Sequence, residues 1–197
     1  MKTILLAAAL LLALTTAAHA APDNFALWGY PATPHSDLSQ FKNWASVLRR
    51  EKNMPETYDV HKWRGFLENL SAKAAEDKLN AVNDYFNKLP YHTEGEQYGK
   101  YNYWADVQEF LVRGGDCKGY AMAKYFSLLE LGYSPDDMAV IVLLDESRNE
   151  LHAVLAIFQG ADILILDNQR KDIVKATAIA WYFPIYAITK GRYWTFQ

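Results

Sequence analysis

The hydrophobic pattern of the chain changes its period near Pro135, and this change restricts the folds that the chain can adopt. Before Pro135, apolar residues recur at helical spacing in several segments. After it, short apolar runs are separated by polar turns, which predicts strands over 138–144, 151–158, 163–167, 183–189 and 193–196. Helices followed by strands predict an α+β domain in which N-terminal helices pack on an antiparallel sheet. The first three strands are apolar on both faces, so we expect cover on both sides of the sheet.

Three local features refine this outline. The segment 23–34, rich in Pro, Gly and aromatic residues, is predicted to run as an extended arm over the surface. Ser36 or Asp37 is predicted to cap the first helix. The segment 91–103 has no usable period and predicts a long loop that leads into a short helix over 104–112.

The first twenty residues have the pattern of an export signal. Lys2 provides a positive start, residues 4–17 are apolar, and Ala18-His19-Ala20 matches an A-x-A cleavage signal. The apolar run is shorter than the roughly 20 residues that span a bilayer. We therefore predict a cleaved signal peptide over 1–20, a periplasmic location, and a mature chain of one domain over 21–197 without a transmembrane segment.

Composition and motif searches exclude several classes of function. The chain is 51% hydrophobic with a formal net charge of −3, which indicates a packed globule. It has no basic stripe, so nucleic acid is not a predicted partner. It has no H-x-x-x-H or C-x-x-C spacing for zinc, and no glycine pattern for binding nucleotides.

Cys117 is the only cysteine, and it follows Gly114-Gly115-Asp116 where the loop gives way to a predicted helix over 117–131, with Gly132 just past its end. A single cysteine forms no intrachain disulfide, so its thiol is free or pairs with another molecule. One interpretation is a small buried hydrophobic residue, as most free cysteines are. The alternative is a nucleophile, because the first turn of a helix favours the thiolate through its dipole and unpaired N–H groups.

Two backbone segments could supply hydrogen bonds to a reacting carbonyl oxygen. Glycines such as Gly115 allow close approach of the backbone to a substrate, and the Cys117 N–H would be one oxyanion donor. A second donor is predicted in the segment that contains Asn102 and Trp104. Trp104 would line the substrate cleft or, alternatively, pack in the core.

His152 is the one histidine that lies inside an apolar strand, where it is either a satisfied core residue or the base for Cys117. A two-residue turn at Gly160-Ala161 would place Asp167 diagonally across from His152, about 7–8 Å away at the backbone. A three-residue turn would place Asp167 and His152 on opposite faces of the hairpin. Asp167 also ends an Ile-Leu-Ile-Leu strand, where a carboxylate is costly unless it is paired.

Several separated motifs together resemble one known family, the bacterial transglutaminase-like cysteine peptidases of the LapG type. These motifs span about 80–194 and occur in the order Trp104-x-x-x-x-Glu109-Phe110, Gly115-Asp116-Cys117-x-x-Tyr120-Ala121-x-x-Lys124-Tyr125, His152-Ala153-Val154-Leu155, Leu166-Asp167-Asn168, Pro184-Ile185-Tyr186 and Trp194. The resemblance implies a papain-like, transglutaminase-type fold and a Cys-His-Asp triad formed by Cys117, His152 and Asp167.

The resemblance also implies partners and a metal. LapG-type peptidases cleave surface adhesins, are regulated by an inner-membrane receptor for cyclic di-GMP, and bind calcium through acidic residues in an Asp-Cys-Glu-Asp-Tyr pattern. Here the corresponding residues are Asp116, Cys117, Lys118, Gly119 and Tyr120. Asp116 could still serve as a ligand, but Lys118 introduces a cation and Gly119 removes a carboxylate, whereas calcium requires several oxygen ligands. We therefore predict no cofactor and regard calcium as doubtful.

The leading prediction is a periplasmic cysteine peptidase that cleaves a protein substrate such as a surface adhesin. In this prediction Cys117 is the nucleophile, His152 the general base and acid, and Asp167 the group that orients the imidazole. Two alternatives stay open on the sequence: transfer of the acyl group to an amine, as in a transglutaminase, and a non-catalytic binding module of the same fold.

Overall fold

The computed structural model describes residues 25–197, so the predicted signal peptide over 1–20 lies outside the described residues. The described chain contains six α-helices, which are α1 (Lys42–Lys52), α2 (Tyr58–Leu70), α3 (Ala75–Asn87), α4 (Glu94–Tyr98), α5 (Val107–Arg113) and α6 (Cys117–Glu130). It also contains eight strands, which are β1 (Ala26–Leu27), β2 (Tyr30–His35), β3 (Met138–Asp145), β4 (Glu150–Gln159), β5 (Asp162–Leu166), β6 (Val174–Lys175), β7 (Tyr182–Ile188) and β8 (Tyr193–Phe196).

The eight strands form one sheet in the order β1-β2-β8-β7-β3-β4-β5-β6, and every neighbouring pair is antiparallel. β3 lies near the centre and pairs with β4 along its whole length, from Met138 opposite Ile157 to Asp145 opposite Glu150. The five strands predicted after Pro135 are all present. The predicted α+β class, with helices packed on an antiparallel sheet, is confirmed.

The two faces of the sheet are covered by different parts of the chain. Helices α1, α2, α3 and α6 pack against one face in a core that includes Trp63, Phe86 and Leu155. The other face is covered by residues such as Leu27, and the Trp28 indole donates to the carbonyl of Ala176 at 2.9 Å. The prediction that the strands are covered on both sides is therefore confirmed.

Helix α6 lies at the centre of the molecule and is buried on nearly every side. Its C-terminus ends in a Schellman arrangement, in which the Tyr133 N–H donates to the Leu128 carbonyl at 2.9 Å and Gly132 donates to Leu129 at 3.0 Å. Gly132 has φ of +87°, so the predicted glycine beyond the end of this helix is confirmed. Burial on nearly every side fixes the direction of α6 and hence the position of Cys117 at its first turn.

Two predictions for the N-terminal region are wrong. The part of the predicted arm that the structure describes, 25–34, is not a surface arm, because β2 adds to the sheet beside β8 with Ala32 opposite Phe196. The first helix starts at Lys42, so neither Ser36 nor Asp37 caps it. The Asp37 carboxylate instead accepts a hydrogen bond from the Ser39 N–H at 2.9 Å, which closes a local turn before the helix.

The segment 91–103 also differs from the predicted loop. It contains α4, which begins with a capping box in which the Thr93 hydroxyl accepts from the Glu96 N–H and the Glu96 carboxylate accepts from the Thr93 N–H. The following helix begins at Val107 and not at residue 104, because Asp106 and Glu109 form a second capping box. Within the described residues, no helix has the length and hydrophobicity needed to span a bilayer.

Candidate active site

Cys117 is the first residue of α6, and local packing explains the glycines that precede it. Gly114 has φ of +70°, and a Cβ at that position would lie 2.2 Å from the Pro90 carbonyl oxygen. Asp116 caps the helix by accepting a hydrogen bond from the Gly119 N–H at 3.2 Å. Cys117 is 9% exposed as a residue, and its N–H is one of those that a helix leaves without an internal acceptor.

The hairpin of β4 and β5 brings His152 and Asp167 together. The turn has two residues, since Gln159 pairs directly with Asp162 and Leu155 with Leu166. A two-residue turn is the case in which the sequence predicts Asp167 to lie diagonally across from His152. The His152 Nε2 and the Asp167 Oδ1 lie 2.9 Å apart, and both side chains are buried.

Asp167 accepts hydrogen bonds from three donors, namely the His152 ring, the Tyr182 hydroxyl at 2.6 Å and the Gln169 N–H at 2.9 Å. Burial alone would raise the pKa of Asp167, but the hydrogen bonds and the His152 charge lower it below its ordinary value. Asp167 is therefore a carboxylate at neutral pH. We call His152, Asp167 and Tyr182 the His152 cluster.

The turn that carries Asp167 is held from the helical side of the molecule. The Asn87 amide on α3 donates to the Asp167 carbonyl at 3.0 Å and to the Arg170 carbonyl at 2.9 Å. Nearby, the Nζ of the buried Lys124 donates to Asn83 Oδ1 at 2.7 Å, and the Asn83 amide donates to the Lys171 carbonyl. These contacts fix the main chain around Asp167, so the carboxylate has one orientation toward the imidazole.

The electrostatics of the His152 imidazole favour its charged form. Burial lowers the pKa of His152, but the hydrogen bonds to Asp167 and Cys117, together with their negative charges, raise it to about 9. Because Asp167 contacts Nε2, the other ring nitrogen is left for the thiol. In general, a protonated imidazole beside a thiol favours the thiolate, which is the nucleophilic form of cysteine.

The other residues predicted for the cleft lie close to Cys117 in the chain or in the loop before it. Gly115 is buried, and its carbonyl accepts from the His92 N–H at 3.0 Å. Trp104 is 4% exposed and packs edge-on against Trp44, which is a core position. Asn102 has φ of +57°, and its Oδ1 accepts from the Trp104 indole at 3.1 Å. Their part in oxyanion binding stays a prediction.

The residues at the positions where the resemblance implies calcium ligands form a different arrangement. The Lys118 ammonium forms ion pairs with both Asp116 and Glu94, and we call these three residues the Lys118 cluster. Across residues 25–197, no group of three or more His, Cys, Asp or Glu side chains is placed to hold a metal ion. This donor set does not fit a calcium ion.

Two members of these clusters were not found from the sequence. Tyr182 reaches Asp167 only because β7 pairs with β3, which places Tyr182 opposite Asp145. Glu94 reaches Lys118 because α4 lies beside the first turn of α6. The Thr93-x-x-Glu96 capping signal could have indicated α4, but no local pattern indicates the contact with Lys118.

A comparison with protein-family models matches residues 59–192 to the bacterial transglutaminase-like cysteine proteinases. The chain therefore belongs to this family, and the recognised resemblance is confirmed. The protein is a transglutaminase-like cysteine peptidase.

Solved structures of Legionella pneumophila LapG are similar to this chain. One is 30% identical with a TM-score of 0.62, and the match covers 68% of this chain and 76% of LapG. An EGTA-treated form gives the same identity and TM-score, with 68% and 74% coverage. A calcium-bound form is 26% identical with a TM-score of 0.65, covering 77% and 86%. A search of curated protein sequences gave no match.

Proposed function

We propose that the protein is a cysteine endopeptidase of the periplasm in which Cys117, His152 and Asp167 form the catalytic triad. The observation that carries this proposal is the 2.9 Å contact between the buried His152 ring and the Asp167 carboxylate, on a histidine whose pKa is raised by both Asp167 and Cys117. Cys117 lies at the first turn of a buried helix, where the dipole and free N–H groups add positive potential.

In the acylation step, the Cys117 thiolate attacks the carbonyl carbon of the scissile peptide bond. A C–S bond forms, and the carbonyl oxygen takes up the negative charge while accepting a hydrogen bond from the Cys117 N–H. When this intermediate collapses, the C–N bond breaks, and the His152 imidazolium gives its proton to the leaving amine. The products of this step are a free amine and a thioester on Cys117.

In the deacylation step, the neutral His152 ring accepts a proton from water as the water oxygen attacks the thioester carbonyl carbon. The C–S bond then breaks, the acyl group leaves as a carboxylic acid, and the sulfur returns as a thiolate beside imidazolium. Asp167 keeps the imidazole in one orientation and stabilises its charged form in both steps.

For the biological substrate, we propose a surface adhesin, with an inner-membrane receptor as the regulatory partner. Two sequence features support this proposal, namely the resemblance to LapG-type peptidases and the signal peptide predicted over 1–20.

The triad is tested by the rate at which iodoacetamide labels Cys117 at pH 6, followed by mass spectrometry. An ordinary thiol, with a pKa of about 8.5, is a thiolate in only about three molecules per thousand at that pH. We expect His152→Ala to slow labelling by roughly 100-fold or more, because the variant loses the imidazolium. His61→Ala is the matched control, since that side chain is exposed beside Glu56. Equal rates in wild type and His152→Ala would contradict the triad.

Peptide hydrolysis and acyl transfer are separated by their products. Unfolded casein is incubated with the enzyme and dansylcadaverine, and new N-termini and fluorescent adducts are counted by mass spectrometry. New N-termini that disappear in Cys117→Ala support the peptidase. Dansyl adducts on glutamine without new N-termini would show acyl transfer instead.

A further inference from the structure

The Lys118 cluster places a charged lysine beside the candidate nucleophile, in a chain that is similar to a peptidase whose structure is known with calcium bound. The Asp116 and Glu94 carboxylates are close enough to interact with each other, and the Lys118 ammonium contacts both. The side chains are only 12–18% exposed. Two facing carboxylates with little access to water repel each other unless a cation lies between them.

We propose that the Lys118 ammonium takes the place of a divalent cation in this peptidase, and that the enzyme keeps its active-site loop in place without calcium. The proposal rests on the proposed function only in treating Cys117 as the nucleophile beside this cluster. It concerns the chain's own residues, and its consequences are seen in stability as well as in thiol reactivity.

The cluster connects the loop before the nucleophile to the nucleophile's own helix. Glu94 lies on α4, and its second oxygen accepts from the Tyr103 N–H at 3.0 Å. Asp116 caps α6 through the Gly119 N–H, and Lys118 is the second residue of that helix. The Lys118 ammonium therefore links α4, through Glu94, to the start of α6, through Asp116. A metal ion bound between loops stabilises them in the same way.

The charge of Lys118 is stable because of its two partners. Burial lowers the pKa of Lys118, but the Asp116 and Glu94 carboxylates outweigh burial and raise it above its ordinary value. The ammonium therefore stays charged across the pH range in which the protein is folded. A calcium ion in the same place would be repelled by this charge and would meet two carboxylates, whereas calcium takes six to eight oxygen ligands.

Packing at Gly119 excludes a carboxylate ligand at that one position of the helix. A Cβ at Gly119 would lie 2.7 Å from Cδ2 of Phe110, and a Cβ at Gly115 would lie 2.9 Å from the same atom. The Phe110 ring is fully buried and fills the space beside the α6 backbone. A carboxylate side chain at residue 119 has no room unless this ring moves.

The test measures the thermal midpoint of the mature protein and the iodoacetamide labelling of Cys117, each in EGTA and in calcium chloride. Wild type is compared with Lys118→Met and Lys118→Glu, and Lys73→Glu is the control because Lys73 is exposed. Magnesium chloride serves as the control for ionic strength and charge.

For wild type we expect calcium to change the midpoint by less than about 1 °C and EGTA to leave labelling unchanged, because an ion that does not bind adds no stability. Lys118→Met should lower the midpoint by roughly 5–10 °C, because it leaves two carboxylates without a cation. Lys118→Glu should be less stable still in EGTA. Calcium at about 100 times its Kd should then raise the midpoint of Lys118→Glu by roughly 5–10 °C.

Three results would overturn the inference. These are a calcium-dependent rise of several degrees in wild type, a Lys118→Met variant as stable as wild type, and a Lys118→Glu variant that calcium does not stabilise. If Lys118→Glu fails to fold, wild type and Lys118→Met still decide the question. Because the midpoint does not depend on catalysis, a failure of the proposed peptidase activity would be seen separately, in the His152→Ala labelling experiment.

Discussion

Two polar clusters flank Cys117, one buried and one half-buried, and they are built in opposite ways. The His152 cluster lies on the strands and holds one carboxylate, Asp167, that accepts from several donors. The Lys118 cluster lies on α4 and the first turn of α6, and it holds one ammonium between two carboxylates. In both, burial is offset by partners of opposite charge or by hydrogen bonds.

The two clusters differ in whether their central cation can release its proton. The pKa of His152 is raised only to about 9, so its proton remains exchangeable near neutral pH. The pKa of Lys118 is raised by two carboxylates, so its charge is permanent. A proton-transfer site requires the first property, and a structural link between loops requires the second.

The largest change in the free energy of unfolding is expected from Asp167→Asn in the His152 cluster. This substitution removes the carboxylate charge that stabilises the His152 imidazolium. A rise from 6.5 to about 9 in the pKa of His152 corresponds to up to roughly 3 kcal/mol of stability. Since the folded-state pKa is raised, this contribution is fully present below about pH 6.5 and is lost as pH rises through about 9. Urea unfolding at several pH values measures the difference between wild type and variant.

We expect the loss in free energy of unfolding caused by Asp167→Asn to be largest at pH 6 and to become smaller toward pH 9.5. Asp162→Asn is the matched control on the same hairpin, because its exposed pair with Lys175 contributes at most about 1 kcal/mol. A deficit for Asp167→Asn that does not vary with pH would show that Asp167 acts only through packing.

A smaller effect is expected from Tyr182→Phe, which removes the 2.6 Å hydrogen bond to Asp167. A hydrogen bond to a charged group contributes about 1.5–3 kcal/mol, so unfolding should become easier by that amount. The pKa of His152, followed by the NMR shift of its imidazole, should rise, because the Asp167 charge is no longer shared with the phenol. Tyr30→Phe is the control, since that ring packs on Phe183. A purely structural role for Tyr182 would lower stability and leave the imidazole titration in place.

Much of the fold could be predicted because local periodicity determines the elements. Helix α6 ends within one residue of its predicted end, and the two-residue turn after Gln159 accounts for the register that joins His152 to Asp167. Both are short-range properties, since burial gives a helix its pattern and turn length determines hairpin pairing.

What could not be predicted depends on pairing between distant segments. β2 joins the sheet through β8, and His35 pairs with Tyr193 across more than 150 residues. Tyr182 and Glu94 reach their clusters through comparable long-range contacts. Local composition cannot specify such contacts, because they follow from which apolar surfaces pack together after the elements form.

The smallest change in stability is expected from the packing beneath the Lys118 cluster. It is measured by replacing two glycines that lie in helix interiors. A Cβ at Gly119 on α6 would meet the Phe110 ring at 2.7 Å, whereas a Cβ at Gly65 on α2 would meet nothing within 4 Å. Overpacking costs about 1–3 kcal/mol and replacement of a helical glycine by alanine gains about 1 kcal/mol. Gly119→Ala should therefore lower stability by up to about 2 kcal/mol, and Gly65→Ala should raise it by about 1 kcal/mol. Urea midpoints measure both, and equal gains would mean that Phe110 yields easily and does not exclude a side chain at residue 119.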